Sequence, residues 1–173
     1  MGSLASIFHW SVAGAYAGGL LYAAISDARS LVIPNWLCAA IAIAFLPAAW
    51  MTGLPWSELG QHYAIGGAFL LAGAVLFAMR VMGGGDVKLL AAMTPWLDYN
   101  LIGKFLILVA LFGGALAIMV MLLRRVQAGS HIRTWFPWLG ESASGPSQSI
   151  PYGVAIAAAG LWLLPQLSIL PPH

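Results

Sequence analysis

Five carboxylates stand in a chain of 173 residues, and two of them sit at the margins of strongly apolar runs. Asp27 closes the first such run. Asp86 follows three glycines in Val81-Met82-Gly83-Gly84-Gly85-Asp86-Val87-Lys88-Leu89-Leu90. An acid at a membrane span is costly and reads as a functional site by default. Two carboxylates held a few ångströms apart cannot both ionise cheaply, so they share a proton, one acting as base and the other as acid. The two titration steps then belong to the pair, not to either residue. Such a pair can activate a water against a peptide carbonyl and protonate the leaving amine. It also suits a proton relay in a coupled transporter. The other acids, Glu58, Asp98 and Glu141, fall in expected loops and read as solvated. Cys38 is the lone cysteine and lies in an apolar run, where it packs as a small hydrophobe. His9, His62, His131 and His173 are dispersed, so no metal set forms and no cofactor is called for.

Gly83, Gly84 and Gly85 lack a Cβ. They can take positive φ and let another chain approach closely, and they are expected to break the third helix where Asp86 must be displayed. The plainer alternative is a flexible interhelical turn.

The elements that must carry these residues follow from composition. The chain is 61% hydrophobic and only 7% charged, with mean hydropathy +0.90. Soluble domains are ~45–50% apolar and ~25% charged. An all-α polytopic membrane protein is expected, with residues 1–173 forming one domain and no room for a sizeable soluble one. The formal net charge of +2 excludes a nucleic-acid footprint. A spanning helix needs ~20 apolar residues. Candidate spans run from Ser6 to Ser26, Asn35 to Thr52, His62 to Met82, Val87 to Leu97, Leu101 to Leu123 and Pro151 to Leu170. The fourth is short, and Pro165 should kink or end the sixth. The first lacks a basic flank before it and reads as a retained span, not a cleaved leader. Six of the seven Lys and Arg (all but Lys104) fall on the odd-to-even connections. That bias places these connections, with Asp27 and Asp86, in the cytoplasm and both termini outside. The eight tryptophans mostly fall near span ends, as interface anchors would.

Gly83-Gly84-Gly85-Asp86-Val87-Lys88 resembles the GxGDxK signature of the type IV prepilin peptidases, a branch of the GxGD intramembrane aspartyl proteases. Asp27 with the downstream Ile33-Pro34-Asn35 resembles the family's second motif, and Ile150-Pro151-Tyr152-Gly153 its Pro-Tyr-Gly opening of the last helix. The motifs come in the family's order and cover essentially the whole chain. The resemblance implies a GxGD-type bundle of about six transmembrane helices in the bacterial inner membrane. It implies Asp27 and Asp86 as a catalytic pair at the cytoplasmic face. Their substrates would be prepilin or pseudopilin precursors, from which they remove a short basic leader. Gly83, Gly84, Gly85, Lys88, Pro34 and Asn35 would shape the loops and the substrate's path, with Lys88 holding the loop or meeting the second acid and Asn35 capping or pinning it. The large cytoplasmic domain with paired cysteines of bifunctional members is absent, so methyl transfer is not implied, and the short form looks like the tight-adherence branch. Leu31 and Val32 stand where the family often carries basic residues. Arg124, Arg125, Arg133, Trp135, Phe136 and Trp138 suit an anionic lipid surface. Membrane lipid and the precursor are thus the expected partners; oligomeric state is left open. Besides the transporter, a silent secretion-system scaffold and a signal-peptide peptidase-like protease stand as rivals.

Overall fold

The computed structural model describes residues 2–125, 135–140 and 150–168. Among these lie six α-helices, numbered in order: α1 Gly2–Ser30, α2 Asn35–Met51, α3 Trp56–Ala78, α4 Gly84–Met93, α5 Tyr99–Arg125 and α6 Tyr152–Leu163. Short 3₁₀ turns occupy Thr94–Trp96, Pro137–Gly140 and Leu164–Gln166. No strand occurs among the described residues. Arg133, Glu141, His131, His173 and the last residues of the sixth expected span lie outside the described residues.

The helix α4 is the hub. It packs against α2, α3 and α6, while α1 lies on α2 and α6, and α5 lies on α6. Leu89 and Met93 of α4 join Tyr16 and Leu20 of α1, Phe45 of α2, Phe105 of α5 and Ile156 and Leu163 of α6 in one apolar core. Close approach depends on small residues: a side chain at Gly73 would strike Val87, and one at Gly160 would strike Met93. Two helices, α3 and α5, are long and apolar enough to cross a membrane. Their outward faces carry bare Leu71, Ile107 and Leu111, as lipid contact requires. The shorter α2 and α6 are also apolar.

Three helix ends close by the left-handed route. Gly53 (φ +71) ends α2, with Gly53 and Leu54 N–H bonded to Trp50 and Ala49 carbonyls. At α3 the same position is held by Arg80 (φ 59), and the Arg80 and Val81 amides bond back to Phe77 and Leu76. This is a Schellman closure built on an arginine. At α1, Leu31 (φ 55) donates to the Asp27 carbonyl at 2.9 Å.

Several expectations need correction. The glycine triplet does not end α3. That helix stops at Ala78, and none of the three glycines has positive φ. The helix also begins at Trp56, six residues before the expected start, because Pro55 supplies an extended N-cap and a polar first turn follows. The α6 helix ends at Leu163, and Pro165 lies in the 3₁₀ turn beyond it, as its ring requires. Two tryptophans do not serve as interface anchors: Trp96 and Trp138 are buried.

Candidate active site

Asp27 sits in the last turn of α1, three residues before the helix closes. Asp86 is the third residue of α4, after Gly83 as N-cap. Both are buried, at 4% and 9% of full exposure. Both line one cavity of about 880 Å³, whose wall also includes Leu31, Ile33, Phe77, Arg80, Gly83 and Tyr152.

The third contributor is the first turn of α6. Backbone N–H groups of Gly153 and Val154 face the Asp27 carboxyl, and the Gly153 N–H faces Asp86 as well. One amide therefore lies between the two acids. Neither amide closes a bond of full geometry on Asp27, and its Oδ2 is buried with no hydrogen-bond partner. Asp86 turns back toward the N–H of Gly83, the reach of an acidic residue at the third position of a helix toward its own N-cap.

These positions lie beyond the apolar stretches of α1 and α4, and the electrostatics there run one way. Burial pushes the Asp27 carboxyl above the usual carboxylate range, and the Gly153 and Val154 amides offset part of that. Burial raises Asp86 too, the charge of Asp27 raises it further, and the Gly83 and Gly153 amides oppose both. A buried pair of acids facing one another holds a proton into the range where most carboxyls have lost theirs.

The glycines are explained by what surrounds them. A Cβ at Gly83 would lie 2.7 Å from Asp86 Oδ2, and one at Gly85 would lie 3.2 Å from Ile33 Cβ. The triplet thus leaves room for the acid's own carboxyl and for the α1–α2 loop. Close approach, not positive φ, is the property used. Lys88 does not meet an acid. Its Nζ donates to Asn35 Oδ1 at 2.9 Å, tying α4 to the start of α2. Pro34 is the N-cap of α2, with no side-chain bond, and Asn35 is that helix's first residue. Ser26 Oγ adds a 2.7 Å bond to the Val32 carbonyl across the same loop.

A profile of the type IV leader peptidase family matches residues 14–118, more than half of the chain, spanning Asp27, Pro34, Asn35 and Gly83 to Lys88. The chain belongs to the type IV leader peptidase family. No curated protein and no solved structure matches it. Membership makes this a peptidase, and with the two long apolar helices it indicates a membrane protein.

Sequence reasoning on this leader peptidase missed the Gly153 and Val154 amides as partners of the acids. The signal was present, since a Pro followed two residues later by Gly opens a helix whose first N–H groups are unsatisfied. A Cβ at Gly153 would stand 2.7 Å from Asp27 Oδ2 and 2.6 Å from Ile33 Cδ1. The Arg124–Trp138 region was expected at a lipid surface. Instead Trp138 is buried against Val120 and Leu139, with Arg124 beside its ring.

Proposed function

We propose that this leader peptidase is an aspartic endopeptidase whose Asp27 and Asp86 activate a water to cut prepilin or pseudopilin precursors. The carrying observation is that two buried acids from separate helices line one cavity and face the same backbone amide, that of Gly153. In the mechanism, the pair holds one proton. The ionised carboxylate takes a proton from water as the water's oxygen attacks the carbonyl carbon of the leader's last residue. The protonated carboxyl first donates to the carbonyl oxygen, giving a gem-diol. The proton gained from water then passes to the leaving amine as the C–N bond breaks, and a hydroxyl of the diol returns its proton to the first carboxylate as the C=O bond re-forms. Each turnover returns the pair to one proton.

The same reading sets the whole chain as one membrane domain of about six crossings in a bacterial inner membrane. Its cavity opens at the cytoplasmic face, where Arg29, Arg80, Arg124 and Arg125 gather on the chain's odd-to-even connections. A proton relay across the membrane is less well served, because both acids lie at one end of the bundle.

The test is cleavage of a Flp-type precursor by purified protein in lipid, read by gel and mass spectrometry. One cut between leader and mature pilin is expected, absent with Asp27→Asn or Asp86→Asn. Normal cleavage by either folded variant would sink the dyad. Proton flux in proteoliposomes that depends on these acids, without cleavage, would favour a transporter.

A further inference from the structure

A helix leaves its last carbonyls without intrahelical partners, and each needs a donor. At the end of α1 two such groups are met by donors from beyond the helix. Leu31 N–H bonds the Asp27 carbonyl at 2.9 Å, while Ser30 Oγ adds a 2.8 Å back-bond to the Ser26 carbonyl one turn earlier. The carbonyl of Ala28, next to Asp27, accepts the indole N–H of Trp138 at 2.7 Å from 110 residues away.

The indole is held from its other sides. Its residue is 8% exposed and packs with Val120 of α5 and with Leu31, and the Arg124 guanidinium lies 5.9 Å from the ring centre. Nearby, Arg29 of α1 lies 5.5 Å over the exposed Trp135 ring. The short turn around Trp138 therefore joins α5 to the end of α1 through one hydrogen bond, one apolar cluster and two cation–π contacts. The same cluster steadies Leu31, which holds a left-handed conformation that a non-glycine residue adopts only when its surroundings impose it.

We propose that Pro137–Gly140 is a strap across the end of α1 and that Trp138 is a positioning residue for Asp27, acting through the Ala28 carbonyl. The strap fixes the helix end against fraying, so that Asp27 keeps its place opposite Asp86. It touches neither substrate nor the reacting atoms. The catalytic part of this inference rests on the dyad reading above; the structural part does not.

The experiment pairs Trp138→Phe, which keeps a ring and removes the N–H, with Trp138→Ala. Each is measured for kcat and KM on the precursor, for its pH–kcat profile, and for amide hydrogen exchange in full-length protein in lipid. Loss of one buried hydrogen bond predicts a fall in kcat of about fivefold in Trp138→Phe, with KM within about twofold. Trp138→Ala should fall further. The basic limb of the profile should move to lower pH, because Asp27 then acts on Asp86 from farther away. Exchange should quicken at residues 28–32 and, in Trp138→Ala, at the end of α5 on which the ring packs, and stay unchanged in α6. Wild-type kcat and profile in Trp138→Phe would overturn the proposal. So would unchanged exchange at residues 28–32, or exchange that quickens throughout the bundle. If the wild-type protein cuts no precursor, the dyad reading falls, and exchange at the end of α1 still decides whether the strap exists.

Discussion

The two ends of the bundle treat polar groups in opposite ways. At the end away from the acids, most polar side chains bond across the bundle, the buried Tyr16 hydroxyl beside Trp96 being an exception. His62 Nδ1 donates to the Pro95 carbonyl at 2.8 Å, and the Trp96 indole donates to that of Ile41 at 2.9 Å. Asp98 accepts both the N–H and the hydroxyl of Ser168, and Tyr99 donates to Gln61. The turn there uses Gly53 for its left-handed residue. At the other end Asp27 keeps an unpartnered Oδ2, a cavity stays open, and left-handed positions fall to Leu31 and Arg80. An unmade hydrogen bond in a buried site is destabilising. One end commits its polar chemistry to holding the helices together; the other keeps it available.

That contrast is broken most directly by making the same exchange at both ends. Asp27→Asn or Asp86→Asn should lower kcat on the precursor by about 10³-fold or more, the scale of losing an acid–base group. Asp98→Asn, at the far end, should leave kcat within about twofold. Comparable losses at both ends would erase the distinction.

A second, smaller contrast uses glycine. Gly153→Ala puts a methyl against Asp27 Oδ2 and Ile33. A displacement of about 1 Å at a reacting group costs on the order of 10²-fold, and that loss is expected in a protein that still folds. Gly114→Ala, where an added Cβ meets nothing within 4 Å, should leave turnover unchanged and add about 0.5–1 kcal/mol of stability as a mid-helix glycine is removed. Turnover and thermal midpoint in lipid measure both.

Trp96→Phe sharpens the far end. It strips the donor from Ile41 in a fully packed site, so a loss of about 1–2 kcal/mol is expected, with kcat at room temperature unchanged. A fall in kcat without a fall in midpoint would place function where only stability is expected.

The smallest effect concerns the acids' own burden. Both carboxyls are raised in the folded chain above the ordinary ~4. Folding therefore favours their protonated forms. Whatever stability they allow is fully present below the ordinary range and is lost as pH rises through the raised values. Asparagine does not ionise. Asp86→Asn should be more stable than the parent near neutral pH, and the gain should vanish as pH approaches 4. A gain that is constant with pH would assign it to packing instead.

Much of the site was legible because its residues are chemical exceptions. Two acids beside apolar runs stand out where 7% of residues are charged, and triple glycine marks a close approach. The short fourth helix was legible by length alone. What stayed hidden depends on tertiary context. The end of α3 is set by an arginine in a conformation that local preference disfavours, and paired backbone bonds outweigh that preference. The inward turn of Trp138 has no local signal, since the same aromatic–basic pattern would suit a lipid surface. The Gly153 amide carried only the indirect mark of Pro151 two residues before it, since a backbone donor has no side-chain signature of its own.

The length of α4 has one more consequence. Ten residues rise about 15 Å, half of a ~30 Å hydrocarbon layer. The 3₁₀ turn at Thr94–Trp96 and the extended step after it carry the chain onward with more rise per residue, and His62 takes up the Pro95 carbonyl exposed on the way. Such irregular backbone is tolerated at membrane depth only where protein surrounds it. During biogenesis, a translocation channel that weighs one segment at a time would find too little apolar length here to release into lipid. On the six-crossing reading proposed above, the helix that carries Asp86 in its first turn enters the bilayer late, as the passenger of α3, against which it packs.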